Sequence, residues 1–264
     1  GVKPGVIPPR DDSKRRRWHF AAQHLASAAS IAVFAVAIGV AAYFWSERSP
    51  AYSTPIGGLA SVPIPDGSEI TLNTNSEVRV HVSDAERRID LKQGEAFFNV
   101  AKDPTRPFVV QAGNTRVIAL GTRFSVWRNG KDVRVVVSEG RVRLENRDNR
   151  DADTASSALT AGTVARTRDA KVAVQKRSVA EVEELLSWRS GLVVFKETPL
   201  AQAAMELNRY NTRKLIVEDE AIAGFRIGGT FRATNLDAFV RLLKQGFAID
   251  AEEQEGRIVL TEKL

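Results

Sequence analysis

The sequence predicts a chain in three parts. A single membrane-spanning helix comes first, then an all-β domain of short, solenoid-like stacked strands, then a small α+β module of βαβ followed by βαββ. Three observations carry this. An uncharged run of 21 residues lies from Leu25 to Trp45. Short alternating strands with recurring glycines fill residues 59–180. Helical and strand patterns then alternate over residues 185–264.

As a helix, Leu25–Trp45 would span about 32 Å, close to the hydrocarbon thickness of a bilayer. Trp18 flanks it on one side and Tyr43 and Trp45 on the other, where aromatic rings favour the interface. A buried soluble helix and a cleaved signal peptide are the competing readings, but signal peptides carry a shorter apolar stretch of about 7–15 residues. Five Lys/Arg fall between Arg10 and Arg17, whereas Arg48 is the only one between Trp45 and Arg79. The positive-inside rule therefore places residues 1–24 in the cytoplasm as a basic flank and everything beyond Trp45 outside it. In a double-membraned bacterium this is an inner-membrane, single-pass protein with periplasmic domains. Residues 46–58, with Pro50 and Pro55, read as a polar tether.

Composition removes several function classes. With 43% hydrophobic and 27% charged residues, most of the chain can bury a core. The absence of cysteine excludes disulfides, thiol nucleophiles and thiolate metal sites. His19, His24 and His81 are scattered, so no metal site is expected. The net charge of +6 is concentrated: residues 1–24 hold six Lys/Arg against Asp11 and Asp12, leaving +2 for the rest. A short juxtamembrane run such as Lys14–Arg17 is not the basic face of a nucleic-acid binder, and no nucleic acid partner is expected.

In the β region, Val78, Val80 and Val82 alternate with Arg79 and His81, so His81 is predicted on a solvent face. Val133, Val135 and Val137 likewise oppose Arg134 and Val136. An apolar residue followed three positions later by glycine recurs at Gly67, Gly94, Gly121, Gly140 and Gly162, with separations of 27, 27, 19 and 22 residues. Glycine suits turns through positive φ, and the irregular period suggests stacked β coils. Residues 147–157 form a polar loop.

In the last region Leu192–Phe195 reads as a strand, and Pro199 opens a helix with Thr198 as N-cap and a stripe of Leu200, Ala203, Ala204 and Leu207. Leu215–Val217 and Phe225–Phe231 read as strands, and Asn235 or Thr234 caps a second helix. Phe247–Ala251 and Arg257–Thr261 close the module around a turn at Glu255-Gly256. There is no phosphate loop, no paired histidines at helical spacing and no nucleophile elbow. Acidic pairs such as Asp151/Asp153 and Glu183/Glu184 read as solvated faces, so a conventional enzyme and a cofactor are not expected.

Several motifs stand in a consistent order. They are Ile64-Pro65-Asp66-Gly67-Ser68, Leu91 to Phe97 with Gly94-Glu95, Pro107-Phe108, Leu120-Gly121-Thr122, Glu139-Gly140, Ala161-Gly162, Trp188 to Leu192, Pro199-Leu200, and Leu207-Asn208-Arg209-Tyr210. As a set they resemble FecR-type transmembrane regulators of sigma factors. The terminal module is similar to the short N-terminal signalling domain of TonB-dependent receptors and secretins.

The resemblance implies a partner on each side of the membrane. In the periplasm this is the signalling domain of an outer-membrane TonB-dependent receptor loaded with a ferric siderophore or similar ligand. In the cytoplasm it is an extracytoplasmic-function sigma factor, held by an anti-sigma domain that precedes the anchor. Only 24 residues precede Leu25 and the first is Gly1, so that domain is expected to be missing from this sequence. Periplasmic and intramembrane proteases are further implied partners. Trp188, Asn208, Arg209 and Tyr210 are the candidate partner-binding residues of the module.

In some members of that family a Gly-Thr bond cleaves itself by an N-to-O acyl shift, which makes Gly121-Thr122 a candidate. Glycine permits a strained backbone and threonine supplies a hydroxyl nucleophile. A turn glycine followed by a strand threonine is the equal alternative. A membrane-anchored scaffold or glycan-binding protein is the competing function. It is weakened because only Trp127 and Trp188 of the four Trp lie beyond the membrane belts.

Overall fold

The computed structural model describes residues 50–146, 156–168 and 171–263. The basic flank, the apolar run 25–45, residues 46–49 of the tether and residues 147–155 of the polar loop lie outside the described residues. Among the described residues no helix is long and apolar enough to cross a membrane.

Among the described residues, thirteen strands build the β domain. The first six are β1 (Ala51–Ser53), β2 (Ala60–Pro63), β3 (Glu69–Leu72), β4 (Glu77–Val82), β5 (Arg87–Asn99) and β6 (Phe108–Ala112). They continue as β7 (Thr115–Ala119), β8 (Arg123–Asn129), β9 (Asp132–Glu139), β10 (Arg141–Asn146), β11 (Ser156–Thr160), β12 (Thr163–Arg168) and β13 (Lys171–Lys176). The main path runs β11-β10-β7-β6-β5-β8-β9-β12-β13. Apart from the parallel β5–β6 pair, these ladders are antiparallel. The domain is therefore one curled sheet around a shared core, where the glycine spacing predicted stacked coils. Tight turns join most successive strands, which favours neighbour pairing over coil stacking.

The glycines keep their predicted backbone role. Gly67, Gly94, Gly121, Gly140 and Gly162 all have positive φ, between 76° and 147°. Four connect strands. Gly94 instead lies inside β5, where one extra residue stands opposite Glu77–Val78. Such a bulge bends a strand and switches its side-chain phase. Ile89 and Leu91 enter the main core before it, Ala96 and Phe98 after it. Glu95 and Phe97 are thereby turned to the opposite face.

Inside the curl, Phe98 stands 5.7 Å from Phe108 and 5.1 Å from Phe124, ring centre to ring centre. A fully buried ion pair closes one end: Arg87 Nη1 donates to Asp66 Oδ2 at 2.8 Å. Burial opposes the charge on Asp66, but hydrogen bonds from Ser68 and Arg87 outweigh it and hold the carboxyl below its ordinary value. The chain already belongs to this domain at residue 51, because β1 pairs with β4; the tether is not free up to residue 58. His81 is partly exposed at 39%, with Nε2 3.5 Å from Asp90.

A short helix, α1 (Val179–Leu185), and a 3-10 turn (Ser187–Ser190) lead into the terminal module. Ser178 caps α1 in a reciprocal capping box with Glu181. Replacing Ser178 with alanine is expected to destabilise the chain by about 1 kcal/mol, read as a lowered urea midpoint; an unchanged midpoint would mean the helix is held by packing alone.

The module contains β14 (Leu192–Pro199), α2 (Leu200–Leu207), β15 (Lys214–Val217) and the single turn α3 (Glu220–Ala223). It ends with β16 (Arg226–Arg232), α4 (Leu236–Gly246), β17 (Ile249–Gln254) and β18 (Arg257–Glu262). The predicted βαβ–βαββ order is present, divided between a β14–β16 pair and a β15-β18-β17 sheet. Asn235 caps α4 as expected, accepting from the Ala238 amide at 3.1 Å. At α2 the capping position is Pro199 itself, with no side-chain cap, because the Thr198 hydroxyl is engaged within β14 by Lys196.

Candidate functional site

The outer face of the β domain is not all solvent-facing. Register places Phe97, Ser125, Val136 and Val164 in one row across β5, β8, β9 and β12. Phe97, Val136 and Val164 are buried in a second core with Val182, Leu186 and Trp188 and the module's apolar residues. Alternation correctly puts Val136 on the face opposite Val135. It cannot reveal that a second layer covers that face.

The next row, two residues along each strand, is charged and aromatic: Glu95, Trp127, Arg134 and Arg166. Glu95 has no exposed side-chain surface. Its Oε1 accepts from Arg134 Nη2 at 3.2 Å. Its Oε2 accepts from Arg209 Nη2 at 2.7 Å and from Asn73 Nδ2 at 3.0 Å. One carboxylate of the β domain thus joins an arginine of its own sheet to an arginine of the module. Both guanidinium groups also lie over Trp127, at 5.1 and 5.2 Å from a ring centre.

The seam continues on either side. Asn73 Nδ2 donates to the Tyr210 hydroxyl at 3.0 Å, and the Thr74 hydroxyl donates to the Arg209 carbonyl at 3.0 Å. Arg189 sits 4.3 Å from the Phe97 ring centre. Burial is the largest influence on Glu95 and opposes its ionisation. The charges of Arg134 and Arg209, with the hydrogen bonds from Arg209 and Asn73, outweigh it and hold the carboxyl below its ordinary value of 4.5. Burial pushes the Tyr210 phenol up, so it stays protonated at neutral pH.

The structure separates the four candidate residues of the module. Arg209 and Tyr210 are in the seam. Asn208 is a latch within the module, with Nδ2 donating to the Leu215 carbonyl at 2.8 Å and Oδ1 accepting from the Leu215 amide at 2.7 Å. Trp188 is 3% exposed and belongs to the second core. Trp188 and Tyr210 are turned inward in this arrangement. Glu95, Arg134, Trp127, Asn73, Thr74 and Arg189 are among the seam residues that sequence reasoning missed. The usable signal was Glu95, an acid between apolar residues on a strand just past a glycine.

Gly121 and Thr122 lie elsewhere, between β7 and β8. Gly121 has φ +147°, and a Cβ there would come within 2.4 Å of Lys102 Cγ. Thr122 is 6% exposed; its carbonyl accepts from the Val100 amide at 3.0 Å. Its Oγ1 is buried without a hydrogen-bond partner.

A curled-sheet β domain carrying a βαβ–βαββ module, closed on it by a second core and a buried ion cluster, is the architecture that defines this chain. Residues 51–143 match the model of the family described as FecR protein. Two crystal structures of a protein from Parabacteroides distasonis ATCC 8503, described as a putative anti-sigma factor, resemble it with a TM-score of 0.65 at 23% identity. They cover 81% of this chain and 98% or 99% of their own, too large a share of this chain to come from the β domain alone. At that identity the likeness concerns the fold. No curated protein matches the sequence.

Proposed function

We propose that this chain is a single-pass inner-membrane signal transducer. Its terminal module receives the signalling domain of an outer-membrane TonB-dependent receptor. Its FecR domain passes the event toward the membrane, and the outcome is control of an extracytoplasmic-function sigma factor through an anti-sigma segment preceding the anchor. The observation that carries this is the seam: the FecR domain shares one core and one ion cluster with the module, so a load on the module is felt in the sheet. The module's edge strands β16 and β17 each pair with one neighbour among the described residues, which suits strand addition by a related small domain.

The test is capture of solubilised outer-membrane proteins on residues 46–264, with the bound proteins identified by mass. A TonB-dependent receptor should be recovered, and proline substitutions along the outer edge of β16 or β17 should abolish its recovery. Deleting the module is the poorer control, since it would expose Phe97, Val136 and Val164. Recovery of peptidoglycan alone would instead favour an anchored scaffold.

The same reading includes self-cleavage at Gly121-Thr122. The Thr122 hydroxyl oxygen attacks the Gly121 carbonyl carbon, its proton passes to the Thr122 nitrogen, and the peptide C–N bond gives way to an ester. Water then hydrolyses the ester to a Gly121 carboxylate and a free Thr122 hydroxyl and amine. A tightly held positive-φ glycine and a buried hydroxyl without a hydrogen-bond partner support it. Intact mass of the wild-type chain should give two pieces meeting at this bond, and Thr122→Ala should give one. A single unbroken wild-type chain of 29.0 kDa would refute the cleavage.

A further inference from the structure

On the opposite flank of the β domain from the seam-forming strands β9 and β12, the outer surface of β7, β10 and β11 forms a groove of about 940 Å³. Register sets Ile118, Arg143 and Ala158 side by side as one row of its floor. Leu120, a large apolar side chain left 50% exposed, lies beside them. The loop between β5 and β6 supplies the wall, through Lys102, Pro104 and Pro107.

That wall is fixed in place. The buried Arg87 guanidinium donates to the carbonyls of Ala101 and Arg106, each at 3.0 Å, while its ion pair holds Asp66. The groove therefore exists before anything occupies it, which lowers the ordering cost of binding.

Its charge is one-sided. The lining holds Lys102, Arg141 and Arg143 and no carboxylate. The acids within two positions of these cations in the chain are already engaged: Asp103 with Arg106, Glu139 with Arg123, and Glu145 with Arg143 and Arg116. Among the described residues, Lys102 and Arg141 have no ion-pair partner. On one border runs β11, which among the described residues pairs with β10 alone and so offers backbone donors and acceptors along its other edge.

We propose that this groove is a docking site for an extended acidic segment of a partner protein, one that alternates carboxylates with aliphatic side chains. The aliphatic groups would cover Leu120 and Ile118, the carboxylates would meet Lys102 and Arg141, and the backbone would run beside β11. An occupant would also lie against the Gly121-Thr122 peptide. The free strand edge favours a polypeptide over a fatty acid or phospholipid, which would use only the apolar floor and the cations.

The probe is a fluorescein-labelled octapeptide, Asp-Leu-Glu-Val-Asp-Leu-Glu-Val, titrated by anisotropy into the full 264-residue chain. Its counterpart with lysine at every acidic position and sodium oleate are tested in parallel. The acidic peptide should bind, and Leu120→Asp and the double change Lys102→Glu with Arg141→Glu should each weaken it about tenfold or more. These positions are at the surface, and an unchanged melting temperature confirms that each variant is folded. The proposal fails if the lysine peptide binds equally well, if folded variants bind as wild type does, or if no binding appears at millimolar peptide. It also fails if oleate occupies the groove and excludes the peptide.

Discussion

Replacing Glu95 with alanine is expected to destabilise the folded chain by about 3–5 kcal/mol, because it removes the counter-ion shared by two largely buried guanidinium groups, leaving Arg209 with Glu206 alone and Arg134 with no ion-pair partner among the described residues. The side chains of Arg134 and Arg209 are only 16% and 18% exposed, so water replaces the carboxylate poorly. Urea unfolding measures the loss. Hydrogen exchange should localise it, with amides of Leu207–Tyr210 and of β5 losing protection together. A loss below about 0.5 kcal/mol, the range of ordinary surface changes, would mean the cluster does not lock the seam.

The same carboxylate predicts a pH dependence. The Glu95 carboxyl is held below its ordinary value of 4.5 in the folded chain. In the unfolded chain it titrates near that value, so between the two the unfolded state binds more protons. Its contribution is therefore complete above pH 4.5 and is lost as pH falls through the folded value. Over that interval the wild type should lose up to about 1.4 kcal/mol per pH unit more than Glu95→Gln. Parallel pH profiles for the two proteins would show that Glu95 is not the group being titrated.

The second large effect is expected at Gly94. An alanine there must adopt φ +82° and would place its Cβ 2.2 Å from Ser76 Oγ and 2.6 Å from the Asn75 carbonyl. A left-handed backbone costs roughly 1–2 kcal/mol, and forced overpacking a further 1–3 kcal/mol. Gly256 separates the two contributions. It has a similar φ of +69° in the β17–β18 turn, and a methyl group added there would meet nothing within 4 Å. Gly256→Ala should therefore show the backbone part alone, about 1–2 kcal/mol. Equal urea midpoints for the two variants would show that β5 shifts to accommodate the methyl. Because the bulge at Gly94 sets the phase of β5, its loss should also weaken the seam through Glu95 and Phe97.

Much of the fold was legible in the sequence because it depends on local rules. Alternating valines marked strands, the recurring glycines marked positive φ, and the helix of the module showed its stripe of Leu200, Ala203, Ala204 and Leu207. Gly94 shows where the local rule stops. Its φ was readable, but whether such a glycine turns the chain or bulges a strand depends on what pairs alongside. Of the candidate partner residues, Arg209 and Tyr210 meet the seam. Asn208 and Trp188 serve the module's own packing, since a side chain's type does not state which neighbour it will find.

The sequence alone determined the period of each segment, the positions that need glycine, the order of the module's elements, and the absence of cysteine chemistry. These follow from the steric and hydrophobic preferences of residues within a few positions of each other. Only the tertiary structure decided that the β strands curl into one largely antiparallel sheet and that Phe97, Val136 and Val164 are covered. It alone brought Glu95 to Arg209, which stands 114 positions away along the chain. Such contacts depend on which surfaces meet after folding, and a buried carboxylate is tolerable only where arginines from distant segments converge on it.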